Sequence, residues 1–206
     1  MIDLDRQGGI WTVTLNRPDK ANALTEDMLA QVANIAEEAA TVPQDARALI
    51  LTGAGPVFSA GADLDAARAG LATSTVWERL SAAIAALPCL TITALNGTVA
   101  GGAIGMALAC DLRIAVPGAK VFYPVMKLGF LPQPSDPVRL AALVGPARAK
   151  LILLTGARID GETALDWGLF DRLAAPDALL DEARALTDHA LTATPEHAAA
   201  IKALIP

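Results

Sequence analysis

The chain has 206 residues, 53% of them hydrophobic, and 16 Lys plus Arg against 22 Asp plus Glu give a net charge of −6. A chain of this size buries roughly 70% of its unfolded surface, so one continuous core is feasible and a disordered chain is excluded. The acidic balance, with no basic stripe, argues against nucleic acid as the main partner, though a few placed cations suffice for a phosphate-bearing small ligand. The most apolar stretch, Val99 to Cys110, covers about half a membrane span before it meets Asp111, so no membrane partner is expected. Arg17, Asp19 and Lys20 follow Trp11 too closely for a secretory leader. Cys89 and Cys110 lie in apolar runs and read as reduced core residues, which fits a cytoplasmic location.

The first segment reads as a hairpin. Ile2 and Leu4 alternate with acids, Gly8-Gly9 turns the chain, and Trp11, Val13 and Leu15 alternate with threonines until Asn16-Arg17-Pro18-Asp19 breaks the strand. Thr25 has the character of an N-cap, and Met28, Leu29, Val32, Ile35, Ala36 and Ala39 form one helical stripe. Ala48 to Leu51 is wholly apolar, as in a buried strand, and Gly53, Gly55 and Pro56 end it. A helix is expected from Thr75 to Leu87, a buried strand from Leu90 to Leu95, and a turn at Asn96-Gly97. Gly101-Gly102 then opens an apolar helix to Cys110, and Leu112 to Val116 reads as another strand. From Ala147 onward helical patterns dominate, with Thr194-Pro195-Glu196 as a late helix cap. Strands alternating with helices predict an α/β core over 1–175 followed by a helical region over 176–206.

Several kinds of site are missing. There is no Gly-x-Ser-x-Gly elbow and no P-loop, and Phe58 stands where a dinucleotide-type run begun by Gly53 and Gly55 needs its third glycine. His189 and His197 both fall in late helical segments and read as exposed helix positions, so neither a Ser-His-Asp triad nor a His-rich metal site is expected. Two segments remain: Phe58 to Leu64, just after a buried strand, and Asn96 to Gly102, at the mouth of a helix. Small residues let a ligand approach the main chain, and N–H groups at a helix start are oriented donors. Two such donors converging on one oxygen make an oxyanion hole. The competing reading is tight packing that needs glycine for steric reasons.

The runs NRP (16–18), KANAL (20–24), FSAGADL (58–64), NGTVAGGAIGMALACDLRIA (96–115) and LVGPARAKLILLTGARIDGETALDWGLFDRL (143–173) resemble the enoyl-CoA hydratase/isomerase, or crotonase, family. The resemblance implies a repeated ββα superhelix, here with a shortened C-terminal helical region, and an enzyme, lyase or isomerase, acting on acyl-CoA thioesters of fatty acid metabolism. It implies oxyanion donors at the backbone N–H groups of Ala62 and Gly102, and a coenzyme A strip at Lys20, Ala21, Ala60, Asp63 and Leu64. Coenzyme A enters as part of the substrate, no separate cofactor or metal is implied, and the family assembles as a homotrimer.

The family's acid–base positions are empty. Gly105 and Val125 stand where its hydratases carry glutamates, and Gln133 where other members carry an aspartate. Glycine and valine cannot transfer protons, so hydration is not expected, and chemistry of the decarboxylation type suits the pattern better. Two substitutes are at hand. Tyr123 is either a phenol near the acyl group or a core aromatic with a satisfied hydroxyl, and Asp136 is either a catalytic carboxylate or the cap of the following helix. The alternative function is a non-catalytic acyl-CoA binder or modulatory subunit.

Overall fold

The computed structural model describes residues 1–205. The chain opens with the expected hairpin: β1 (Ile2–Gln7) pairs antiparallel with β2 (Ile10–Leu15), Leu4 opposite Val13. Helix α1 (Glu26–Thr41) starts where Thr25 accepts a hydrogen bond from the Met28 N–H, with Glu26 and Asp27 at the positive end of its dipole. Met28, Leu29, Val32, Ala33, Ala36 and Ala39 are its buried face.

A strand–strand–helix unit then repeats three times. The first is β3 (Ala48–Gly53), β4 (Val57–Ser59) and the helices α2 (Leu64–Arg68) and α3 (Val76–Ala85). The second is β5 (Leu90–Leu95), β6 (Thr98–Ala100) and α4 (Ile104–Ala109), which a 3-10 turn at Gly101–Ala103 introduces. The third is β7 (Leu112–Ala115), β8 (Lys120–Phe122), α5 (Val125–Leu128) and α6 (Asp136–Val144). The rest of the described chain comprises α7 (Pro146–Thr155), β9 (Ile159–Asp160), α8 (Gly161–Asp166), β10 (Arg172–Leu173), α9 (Leu179–Ala185), α10 (Asp188–Thr192) and α11 (Pro195–Ala203). Thr194 caps α11 as expected, accepting from the His197 N–H.

Each repeat places its first strand in one sheet and its second in another. The larger sheet has the order β1-β2-β3-β5-β7-β10, and the smaller β4-β6-β8-β9. From β2 to β10 the larger sheet is parallel, and β3 is buried from Ala48 to Thr52, as strands of parallel sheets commonly are. One core joins the layers, with Leu29, Ile50, Phe58, Leu80, Ile84, Ile92 and Leu95 fully buried. Cys89 and Cys110 are free and buried in it, and burial pushes both thiols up to about 11, so they are inert packing residues at neutral pH. The C-terminal helices rest on this core through buried Leu179 and Ala183, and the Lys202 ammonium on α11 reaches Asp111 at 2.7 Å. Among the described residues no helix is long and apolar enough to cross a membrane.

Candidate active site

Three strand ends set the site. β4, β6 and β8 run parallel and adjacent, with Ser59 opposite Val99 and Ala100 opposite Phe122. Their carboxyl ends therefore deliver residues 60–63, 101–103 and 123–124 to one edge of the smaller sheet. The first two loops touch there. A Cβ on Gly61, at φ +92°, would lie 2.8 Å from the Ala100 carbonyl oxygen, and Gly101 needs its own positive φ of +57°. The steric reading of these glycines thus holds for Gly61, and for Gly97, where a Cβ would overlap the Pro56 carbonyl. Steric need and site geometry coincide: the missing side chains let the two loops meet.

The backbone of the first loop is oriented by Leu24. Its N–H donates to Gly61 O and its carbonyl accepts from the Asp63 N–H, both at 2.8 Å. In a parallel bridge the residue between those two partners turns its own N–H the other way. The Ala62 N–H therefore faces away from Leu24, and it donates to no group among the described residues. Gly102 is the second residue of the 3-10 turn, where helix geometry leaves an N–H without an intrahelical acceptor. Both residues are half-buried. The Trp77 ring closes the far side of Gly102, 3.0 Å from where a Cβ would be, and is pinned by its indole N–H to Leu71 O at 2.8 Å.

The residues of the expected coenzyme A strip come together along the same edge. Lys20 is exposed at the end of a short 3-10 turn, and Ala21 follows in the left-handed region at φ 49°. The Ala60 N–H donates to Ala21 O at 2.9 Å, joining the two halves of the strip. Leu64 is 74% exposed beside them. The Asp63 carboxylate is engaged elsewhere. It pairs with Arg17 at 2.7 Å and caps α2 through the Asp65 and Ala66 N–H groups, and the Arg17 hydrogen bond is the chief reason its carboxyl lies below the usual range.

The cap expected of Asp136 is not there. Ser135 holds the N-cap position, Asp136 is the first residue of α6, and its side chain is fully buried. It points at α4 instead, where Oδ1 lies 2.8 Å from the place a Cβ on Gly105 would occupy. The carboxyl group thus fills the space that Gly105 leaves open. Oδ2 accepts from the Tyr123 hydroxyl at 2.8 Å, whereas Oδ1 has no partner. Burial pushes the Asp136 carboxyl up to about 6, against the hydrogen bond from Tyr123 and the charge of Arg139, which pull it down; nearby Glu78 adds to the rise. Burial, and then the neighbouring carboxylate, push the Tyr123 hydroxyl upward, so it stays a proton donor. A carboxyl that titrates near neutrality with one oxygen unpaired can both take and give a proton.

Val125 is buried at the start of α5 and Gln133 is half-buried, so neither supplies a carboxylate. His189 and His197 are exposed on α10 and α11, remote in sequence from all three loops. Among the described residues no cluster of three or more His, Cys, Asp or Glu is arranged to hold a metal ion. The pairing of Tyr123 with Asp136 has no local sequence signature. The only signal is indirect: an empty carboxylate position at Gly105 and an aspartate beside a serine already placed to begin the helix.

Two sheets built from repeated strand–strand–helix units, with loop amides gathered at one edge, define a crotonase-type α/β fold. The chain belongs to the enoyl-CoA hydratase/isomerase family, whose sequence profile matches residues 5–205. It is 34% identical over 195 residues to 1,2-epoxyphenylacetyl-CoA isomerase of Escherichia coli, covering 89% of this chain and 73% of that protein. It is 34% identical over 205 residues to carnitinyl-CoA dehydratase of Citrobacter koseri, covering 98% of this chain and 78% of that protein. The crystal structure of an enoyl-CoA hydratase/isomerase from Pseudoalteromonas atlantica superposes with a TM-score of 0.91 at 29% identity, covering 99% of this chain and 82% of that one.

Proposed function

We propose that this protein is an acyl-CoA enzyme in which the Ala62 and Gly102 N–H groups hold a thioester oxygen while Asp136 moves a single proton at the acyl chain. Lys20, Ala21, Ala60, Asp63 and Leu64 would form the strip along which coenzyme A lies, Asp63 through its backbone. The observation that carries the reading is the unpartnered Oδ1 of buried Asp136 set against Gly105, three residues beyond the Gly102 donor. A buried polar atom without a partner costs about 1–3 kcal/mol, and such atoms call for an explanation in function.

One carboxyl group favours one kind of chemistry. Adding water to an enoyl thioester needs a base for the water and an acid for the α-carbon, and Gly105 and Val125 supply neither. A proton shift along the acyl chain needs only one group. The carboxylate takes a proton from one carbon, the electron pair moves into the thioester as an enolate held by the two amides, and the same carboxyl returns the proton at another carbon. But-3-enoyl-CoA in deuterated buffer tests this. The wild type should give crotonyl-CoA with little solvent deuterium incorporated, because the proton taken is the one returned, and Asp136→Asn should slow it on the order of 10²–10⁴-fold. Unchanged turnover by D136N, or rapid hydration of crotonyl-CoA, would sink the reading. Loss of CO₂ from a malonyl-type thioester as the sole activity would put decarboxylation in its place. Tight binding without turnover of any thioester would leave a non-catalytic binder.

A further inference from the structure

We infer that Tyr123 is a positioning residue, holding the Asp136 carboxyl so that one oxygen is always turned toward α4 and the acyl site; the inference rests on the proton-shift reading above. Tyr123 leaves the end of β8 with its ring 3% exposed. Its single hydroxyl proton is spent on Asp136 Oδ2 at 2.8 Å, and the phenol oxygen lies 3.5 Å from the Gln133 N–H, a contact at the outer limit of a hydrogen bond. The terminal torsion of an aspartate is broad, so an unheld carboxyl would swing. With Oδ2 tied, the plane is fixed and the other oxygen faces Gly105, which has no side chain to meet it.

The remaining charged neighbours do not share this task. Arg139, on α6 itself, donates to Ser81 Oγ at 2.8 Å and Ser135 Oγ at 2.9 Å. Glu78, on α3, accepts from the Ser135 hydroxyl at 3.0 Å and its N–H at 3.3 Å. The Ser81 hydroxyl in turn donates to Gly105 O at 3.0 Å. These contacts tie α3, α4 and the start of α6 together around Asp136, yet none reaches its carboxyl. Tyr123 is the only hydrogen-bond donor to that group among the described residues.

Tyr123 is the only tyrosine of the chain, so ¹³C-labelled tyrosine reports on it alone. In the wild type its ring-carbon signal should titrate at the same pH as the acid limb of kcat/KM for but-3-enoyl-CoA. Tyr123→Phe keeps the ring and removes the donor. It should move that limb to higher pH and lower kcat about 10-fold at neutral pH with KM nearly unchanged, and it should add nothing in a D136N background. A tyrosine signal flat across the limb, or a Y123F limb that stays in place while D136N is inactive, overturns this inference alone. A fully active D136N enzyme overturns the underlying reading and this inference together.

Discussion

The loops at the ends of β4 and β6 and the start of α6 are held in opposite ways. On the loop side the polar side chains are satisfied. Buried Asn22, at φ 52°, accepts from the Arg17 N–H and donates to Ala54 O and Val57 O, and the Ser59 hydroxyl donates to Asn22 O while accepting from the Gly61 N–H. On the α6 side Asp136 is as deeply buried as Asn22, yet one of its oxygens is orphaned. The loops offer backbone donors, whose chemistry any small residue supplies, and the surrounding network holds them rigid. The helix offers a side chain kept at a cost in stability, which is where local rules are expected to fail in favour of function. In the proposed reading, the main-chain donors stay where the fold puts them, whereas the carboxyl is supplied from a different element because its usual place is empty.

Three measurements press on this contrast. The largest effect should come from Gly105→Ala. The new Cβ would sit 2.8 Å from Asp136 Oδ1, so the carboxyl must move, and turnover should fall on the order of 10²-fold or more, as for removal of the proton carrier. Activity near the wild-type level in G105A would mean that the contact is packing only. Next is Asn22→Ala, which removes three hydrogen bonds from a buried loop and should destabilise the fold by roughly 3 kcal/mol in chemical denaturation. A loss below about 0.5 kcal/mol would show that the loop side is no more over-determined than an ordinary surface turn.

The last effect concerns pH. Because the folded protein holds the Asp136 proton up to about 6 rather than the ordinary 3.8, it binds more protons than the unfolded chain across that window. This group's contribution is therefore fully present below the window, is lost as pH rises through it, and changes no further above it. The difference should be on the order of 3 kcal/mol between the two plateaus. Stability curves of wild type and D136N at several pH values should differ in slope there and run parallel above it. Parallel curves throughout would show that Asp136 is not held in a costly environment.

Much of the scaffold was legible because its signals are local. Period-two alternation marked the hairpin, the 3.6-residue stripe and Thr25 marked α1, and the apolar run Ala48 to Leu51 marked β3. The short strands β4, β6 and β8, with three residues each, escaped notice because such a length carries no usable period. Their parallel pairing is nevertheless what carries the two glycine loops to one edge. The two-residue strands β9 and β10, inside a stretch expected to be helical, were hidden for the same reason.

The sequence alone thus determined the repeated strand–helix scaffold, the small-residue loops and the absence of carboxylates at Gly105 and Val125, because each is written in neighbouring residues. Only the tertiary structure decided between the two roles open to Asp136. Its side chain could cap its own helix or leave it, and the choice depended on Gly105 making room on α4 and on Tyr123 arriving from β8 with a hydroxyl to donate. Gly105 lies in the preceding repeat and Tyr123 on a different element of the same one, and contacts made between separate elements leave no trace in the order of residues along the chain.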